Sequence, residues 1–176
     1  MYGIPAGAAF PKMSLPRVGG SHVALGNTDG DLDWQLIVVY RGLHCPKCKD
    51  YLAKLEALMP AYHEAGVAVV AISGDGEAKA QQMVDEVGLT MPVGYDLSLS
   101  QMASLGLYIS DPRSAQETDQ PFPEPGTYVI NDVGTVQIVD VSNAPFARPD
   151  LELLLGGIRF VRANDYPIRG MHRRPG

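Results

Sequence analysis

Cysteine is scarce in this chain. Among 176 residues there are two, Cys45 and Cys48. That rules out a domain stapled by several disulfides, and a bridge across two intervening residues closes too small a loop to stabilise much. Metal ligands are scarce as well. A structural zinc site takes three or four Cys or His ligands, and His22, His63 and His172 stand alone in the sequence. No metal and no cofactor is expected. No stretch approaches the roughly 18 apolar residues of a membrane-spanning helix. Basic residues are outnumbered, 14 Lys and Arg against 20 Asp and Glu, for a formal charge of −6. That balance argues against a general attraction for nucleic acid. Residues 1–16 carry Pro5, Pro11 and Pro16 and have no apolar run behind a positive start, so they do not read as a secretory signal. The expectation is a cytoplasmic protein in a reducing compartment, where paired thiols are catalytic or sensing.

What is present reads as a single domain over residues 1–176, with an N-terminal arm (1–17) and a basic C-terminal tail (164–176). From Arg159 onward there are five arginines against one aspartate. The segment from Asn164 to Met171 is a candidate cover for a sheet edge or a contact with a second copy of the chain. Residues 18–26 look like a short hairpin turning at Gly19-Gly20, and 27–33 like an acidic connection. Trp34 to Tyr40 and Val67 to Ile72 are apolar without alternation, which predicts strands buried on both faces. Helices are expected from Cys45 to Ala65, with a kink at Pro60, from Glu77 to Val87, from Leu97 to Leu105, and from Pro149-Asp150 to about Val161. Gly66, Gly88 and Gly106 are the stop signals of the first three. Met91 to Asp96 is a short extended piece, and Ser110 to Glu124 reads as a long polar surface loop. Thr127 to Ile130 and Thr135 to Val141 are strands joined by a turn at Asn131-Asp132-Val133-Gly134. Parallel βαβ units followed by an antiparallel hairpin predict an α/β protein: one mixed central sheet flanked by helices in three layers.

The chemistry gathers at Arg41-Gly42-Leu43-His44-Cys45-Pro46-Lys47-Cys48. A buried strand precedes this stretch, and a helix with Tyr51, Leu52, Leu55, Leu58, Met59 and Tyr62 on one broad face follows it. The cysteines therefore open a helix, where unpaired N–H groups and the positive dipole end favour an anion. The Cys45 thiol should ionise below the ~8.5 of a free cysteine. Pro46 suits the first helical position, since its missing N–H costs nothing there. Lys47 reads as a solvated side chain near the helix start. Inert core cysteines and half of a metal site are the plainer alternatives to a reactive dithiol.

This order of elements, with a dithiol opening the first helix, resembles the thioredoxin fold. It looks more specifically like the peroxiredoxin-like branch named for alkyl hydroperoxide reductase and thiol-specific antioxidant proteins. Three segments carry the resemblance: Val38 to Cys48, Val67 to Asp75, and Pro125-Gly126-Thr127-Tyr128-Val129-Ile130-Asn131 with its glycine-containing turn. The resemblance implies that Cys45 is the attacking thiolate and Cys48 the resolving thiol. It also implies a cis peptide bond at Pro125, with that proline against the dithiol; a trans proline opening a strand is the plainer reading. In two respects the chain departs from peroxiredoxins. Gly42 and Val38 stand where that branch has Thr or Ser and Pro, and Pro125 takes the place of its arginine. Without those groups peroxide reduction should be slow unless Arg41 substitutes. The buried Asp of thioredoxin corresponds to Val39, and His44 replaces its Trp. His44 is a candidate proton relay to Cys48 or a partner for the Cys45 thiolate, set against a solvent-facing ring with no proton role.

Three functions follow. The first is thiol–disulfide exchange with a protein or small-molecule disulfide, Cys45 attacking and Cys48 resolving. The second is a thiol-dependent peroxidase acting on hydroperoxides. The third is a non-enzymatic redox sensor. Each needs an unknown thiol reductant to return the dithiol, and none calls for nucleic acid or membrane.

Overall fold

Every residue of Trp34–Val39 is buried, and successive side chains leave a strand on opposite faces. Trp34, Leu36 and Val38 join one apolar cluster, whereas Ile37 and Val39 join another. This strand is the middle of a sheet covered on both sides, as its unbroken apolar run requires.

The computed structural model describes residues 3–26 and 30–172. Its strands, in chain order, are β1 (Met13–Pro16), β2 (His22–Leu25), β3 (Trp34–Val39), β4 (Val67–Ile72), β5 (Val93–Gly94), β6 (Ile109–Ser110), β7 (Phe122–Pro123), β8 (Gly126–Ile130) and β9 (Val136–Val141). Its helices are α1 (Pro46–Glu64), α2 (Glu77–Val87), α3 (Leu99–Leu105) and α4 (Leu151–Asn164). The main sheet runs β5-β4-β3-β8-β9. β3, β4 and β5 are mutually parallel, and β8 and β9 are antiparallel additions. This is the mixed, three-layer α/β sheet expected.

α1 and α4 pack together on the face that holds Leu36, Val38 and Val69. There the Tyr62 hydroxyl donates to the Leu151 carbonyl at 2.7 Å and ties the two helices. Leu52 and Leu55 are wholly buried in this layer, and trimming either to Ala should cost roughly 2–5 kcal/mol. α3 and the β1–β2 hairpin cover the other face through Leu15, Leu25, Met102 and Leu105.

The boundaries differ from expectation in instructive places. The hairpin turns at Gly19-Gly20 as expected, but it begins earlier than residue 18: Met13 pairs with Leu25 and Pro16 with His22. The arm therefore contributes a strand of its own. α1 runs through Pro60 as expected and ends at Glu64, with Ala65 as its cap. The polar segment 110–124 is no free loop, because its ends zip as β6 and β7. The acidic connection expected over 27–33 falls partly outside the described residues, as do the first two and last four residues of the arm and tail. Of the tail, Met171 sits against Gly7. Gly7 donates to Val136 at 2.9 Å, at the start of the edge strand β9. The tail thus closes on the chain's own N-terminal segment beside a sheet edge.

Candidate active site

β3 delivers the chain to the site. Tyr40 N–H still bonds Ile72 O at 3.0 Å, and two residues on Gly42 adopts a φ of +146°. That angle turns the backbone so that Cys45 N–H returns to Gly42 O at 3.2 Å. A side chain at Gly42 would lie 2.9 Å from Asp75 Oδ1 and 3.0 Å from His44 Nδ1, so the turn requires glycine twice over. Pro46 then starts α1 and Cys45 is its N-cap, with Sγ accepting the Cys48 N–H at 3.3 Å. A cap position is usually held by an oxygen that accepts an orphan N–H, and a thiolate serves the same purpose with a full charge.

The two thiols are free and almost enclosed: Cys45 is 1 % exposed and Cys48 not at all. They share one proton unequally. The Cys45 thiol falls from an ordinary 9.0 to about 6, first because the Cys48 thiol hydrogen-bonds to it, against the opposing effect of burial. The Cys48 backbone N–H, the Arg41 side chain and the charge of Arg148 lower it further. The Cys48 thiol is pushed up, by burial and by donating its proton to Cys45. Cys45 is the sulfur that ionises first, as its place at the helix start predicts.

Around the pair the structure brings together most of the residues singled out from the sequence. Arg41 Nε lies 3.0 Å from Glu124 Oε2, and its guanidinium covers the Phe122 ring at 4.8 Å. Ser110 Oγ donates to Glu124 Oε1 at 2.6 Å, which fixes the carboxylate from behind. His44 packs edge-on to Phe122, ring centres 4.6 Å apart, and neither ring nitrogen has a hydrogen-bond partner. Burial, followed by the charge of Arg41, lowers its pKa, which keeps the imidazole neutral near pH 7. It is not bonded to either sulfur. Lys47 is exposed.

Pro125 corrects an expectation. No peptide bond among the described residues is cis. Gly126 is already paired with Val39, and the Pro125 carbonyl accepts Ser142 N–H at 3.0 Å. Pro125 stands just ahead of the first residue of β8, and its peptide bond is trans.

Three functional neighbours were not foreseen. Glu124 lies in the segment expected as a polar surface loop, yet it is 3 % exposed. Asp75, in the turn after β4, is also 3 % exposed and accepts Leu43 N–H at 2.7 Å. Arg148, from the loop between β9 and α4, places Nη2 2.7 Å from Cys48 Sγ, which also accepts the Arg41 N–H at 3.4 Å. The unpaired positive charge of Arg41 was a usable signal for Glu124; nothing local pointed to Arg148. Two clefts flank the loop at Pro145. One, of about 350 Å³, is lined by Lys47, Tyr51, Phe146 and Arg148. The other, of about 430 Å³, is lined by Arg41, Phe122 and Pro145.

Residues 6–139 match the model of the AhpC/TSA family. The chain belongs to that family. Its fold is the thioredoxin-like, peroxiredoxin-like one. The peroxiredoxin-like protein of Aquifex aeolicus superposes with a TM-score of 0.75 at 16 % identity, covering 92 % of this chain and 90 % of that one. Peroxiredoxin 6 of Arenicola marina gives 0.77 at 17 % identity over 93 % and 76 %. A relative by sequence is the thiol-disulfide oxidoreductase ResA of Halalkalibacterium halodurans, 28 % identical over 132 residues. The match takes in 74 % of this chain and 65 % of that protein's length.

Positive charge reaches the sulfurs from Arg41 and Arg148.

Proposed function

We propose that this AhpC/TSA family member is a thiol–disulfide oxidoreductase. Cys45 attacks a substrate disulfide as the thiolate, and Cys48 resolves the mixed disulfide by forming a reversible Cys45–Cys48 bridge. The observation that carries this is the asymmetry of the pair: Cys45 Sγ caps α1 and is the more acidic sulfur, with the more weakly acidic Cys48 one turn away. A low-pKa attacker beside a higher-pKa partner is the arrangement disulfide exchange uses. The kinship with ResA supports the same reading. The substrate is a protein or small-molecule disulfide, and a thiol reductant of a reducing compartment such as the cytoplasm regenerates the dithiol. Arg41 holds the thiolate, and Pro125 anchors the head of β8 beside the site.

The test is reduction of insulin disulfides with dithiothreitol as donor. Wild type should accelerate precipitation of the insulin B chain, and Cys45→Ser should not. Equal rates for the two proteins end the proposal.

One observation favours a second reading, hydroperoxide reduction. Cys45 is nearly enclosed, which admits a small oxidant more readily than a polypeptide, and Arg41 beside it can steady a leaving oxygen. In that case Cys45 becomes a sulfenic acid and Cys48 condenses with it, releasing water. Cumene hydroperoxide added to reduced Cys48→Ser should then leave one added oxygen on Cys45 by mass. An unchanged mass removes this reading.

A further inference from the structure

The guanidinium of Arg148 stands on the wrong sulfur for the first chemical step. Its Nη2 is 2.7 Å from Cys48 Sγ, the resolving sulfur, while Cys45 feels it only as a charge through space. The placement is built. Arg148 Nε donates to Pro145 O at 2.7 Å, and the guanidinium lies over the Tyr51 ring at 5.0 Å. Tyr51 in turn donates its hydroxyl to Pro149 O at 2.7 Å and pins the loop on the far side of Arg148. Three fixtures hold one cation against one sulfur.

We infer that Arg148 is a catalytic residue of the second step, holding Cys48 as the thiolate that breaks the mixed disulfide. The assignment rests on the exchange reading above. In the free dithiol, Cys48 keeps its proton because it is buried and because it donates to the Cys45 thiolate. Once Cys45 sulfur is bonded to the substrate sulfur, that anion is gone, burial alone opposes ionisation, and the Cys48 proton passes to solvent. Two donors remain on its sulfur, the Arg41 N–H and Arg148 Nη2, and both favour the anion. Cys48 S⁻ then attacks Cys45 Sγ, the Cys45–S–substrate bond breaks, and the substrate sulfur leaves with the electron pair and takes a proton from water. The protein dithiol loses two electrons and the substrate disulfide gains them.

The experiment separates the steps with 5,5′-dithiobis(2-nitrobenzoate) under stopped flow at 412 nm. The first equivalent of released thiolate reports attack by Cys45, and the second reports resolution by Cys48. Removing a charged donor shifts a thiol by one to two pKa units, and each unit costs a thiol attack about threefold once the gain in intrinsic nucleophilicity is counted. Arg148→Met should therefore slow the second phase roughly three- to tenfold and leave the first within about twofold. The pH midpoint of the second phase should rise, and Arg148→Lys should restore part of the rate. In Cys45→Ser, titration of the 240 nm thiolate band should show Cys48 ionising at higher pH when Arg148 is also replaced by Met. An unchanged second phase, or an equal slowing of both phases in a folded Arg148→Met, overturns the assignment. A wild type that releases only one equivalent, or a Cys45→Ser that reacts as fast as wild type, instead removes the exchange reading, and the role of Arg148 with it.

Discussion

Asp75 Oδ2 accepts the backbone N–H of Leu43 at 2.7 Å, so the turn after β4 holds the turn that carries the dithiol. The carboxylate is buried, and burial raises its pKa despite that bond and the charge of Lys79. A carboxyl raised in the fold is easier to keep neutral there than in the unfolded chain. Stability should therefore decline as pH rises from the ordinary value of 3.8 through the raised folded one. Asp75→Asn keeps an oxygen for Leu43 and removes the charge. Its melting temperature should exceed that of wild type at pH 7 and converge on it below pH ~4, near the unfolded pKa. A variant less stable at pH 7 would mean that the carboxylate charge is being satisfied by more than the Leu43 N–H.

The shared proton of the dithiol makes a second prediction. Absorbance of the reduced protein at 240 nm should titrate with a midpoint about 6 for Cys45. Because the Cys48 thiol is the largest cause of that shift, Cys48→Ala should move the midpoint upward, and Cys48→Ser, which keeps a donor, should move it less. The same shift has a stability consequence. A thiol depressed from 9.0 to about 6 in the fold stabilises the reduced protein fully above the unfolded value and loses that contribution as pH falls through about 6. Cys48, shifted the other way, weighs against stability only at higher pH. A midpoint near 9 would remove the acidic nucleophile altogether.

How far the sequence leads depends on whether a signal is local. β4 could be placed to the residue because its apolar run starts after Gly66 and ends at the turn of Ser73-Gly74-Asp75-Gly76. The dithiol could be placed at a helix start because Pro46 and the apolar face beginning at Tyr51 are neighbours in the chain. Arg148 is 100 residues from Cys48, and the two meet only because β9 lies two strands from β3 in the finished sheet. No spacing rule marks a single arginine in a loop for that contact. Glu124 was hidden for a related reason. Segment 110–124 is polar in composition, yet its ends pair as β6 and β7 and turn that one carboxylate inward to Arg41. The cis bond expected at Pro125 rests on likeness alone, and the bond is trans.

Arg41 and Glu124 should be energetically coupled. Their side chains are 16 % and 4 % exposed, so removing the cation leaves a carboxylate with Ser110 as its remaining donor. Arg41→Met should cost roughly 3 kcal/mol in urea denaturation, within the range for breaking a buried pair. Glu124→Gln should cost less, about 1–2 kcal/mol, because the guanidinium keeps some access to water. The double variant should be more stable than the two losses added together, by about 1 kcal/mol or more. Strict additivity would show that the pair is not an interaction of consequence. Arg41→Met should also raise the pKa of Cys45, since the Arg41 side chain is one of the groups that lowers it.

A hydroxyl at position 42, where the resemblance implies Thr or Ser, tests whether the turn before Cys45 can carry a group that would assist peroxide reduction. Gly42 has a φ of +146°, and a Cβ there meets Asp75 Oδ1 at 2.9 Å and His44 Nδ1 at 3.0 Å. Asp75 cannot give way without releasing Leu43, and His44 is held against Phe122. Gly42→Thr should therefore lose about 2 kcal/mol or more, the scale of a side chain forced into a strained backbone conformation. It should not speed consumption of cumene hydroperoxide, because the turn that places Cys45 would be displaced. Gly42→Ala is the control: it carries the backbone strain without the hydroxyl and should lose stability by a similar amount. A Gly42→Thr protein as stable as wild type and faster with the hydroperoxide would mean that the turn tolerates the hydroxyl, and that a single substitution separates this chain from peroxidase chemistry.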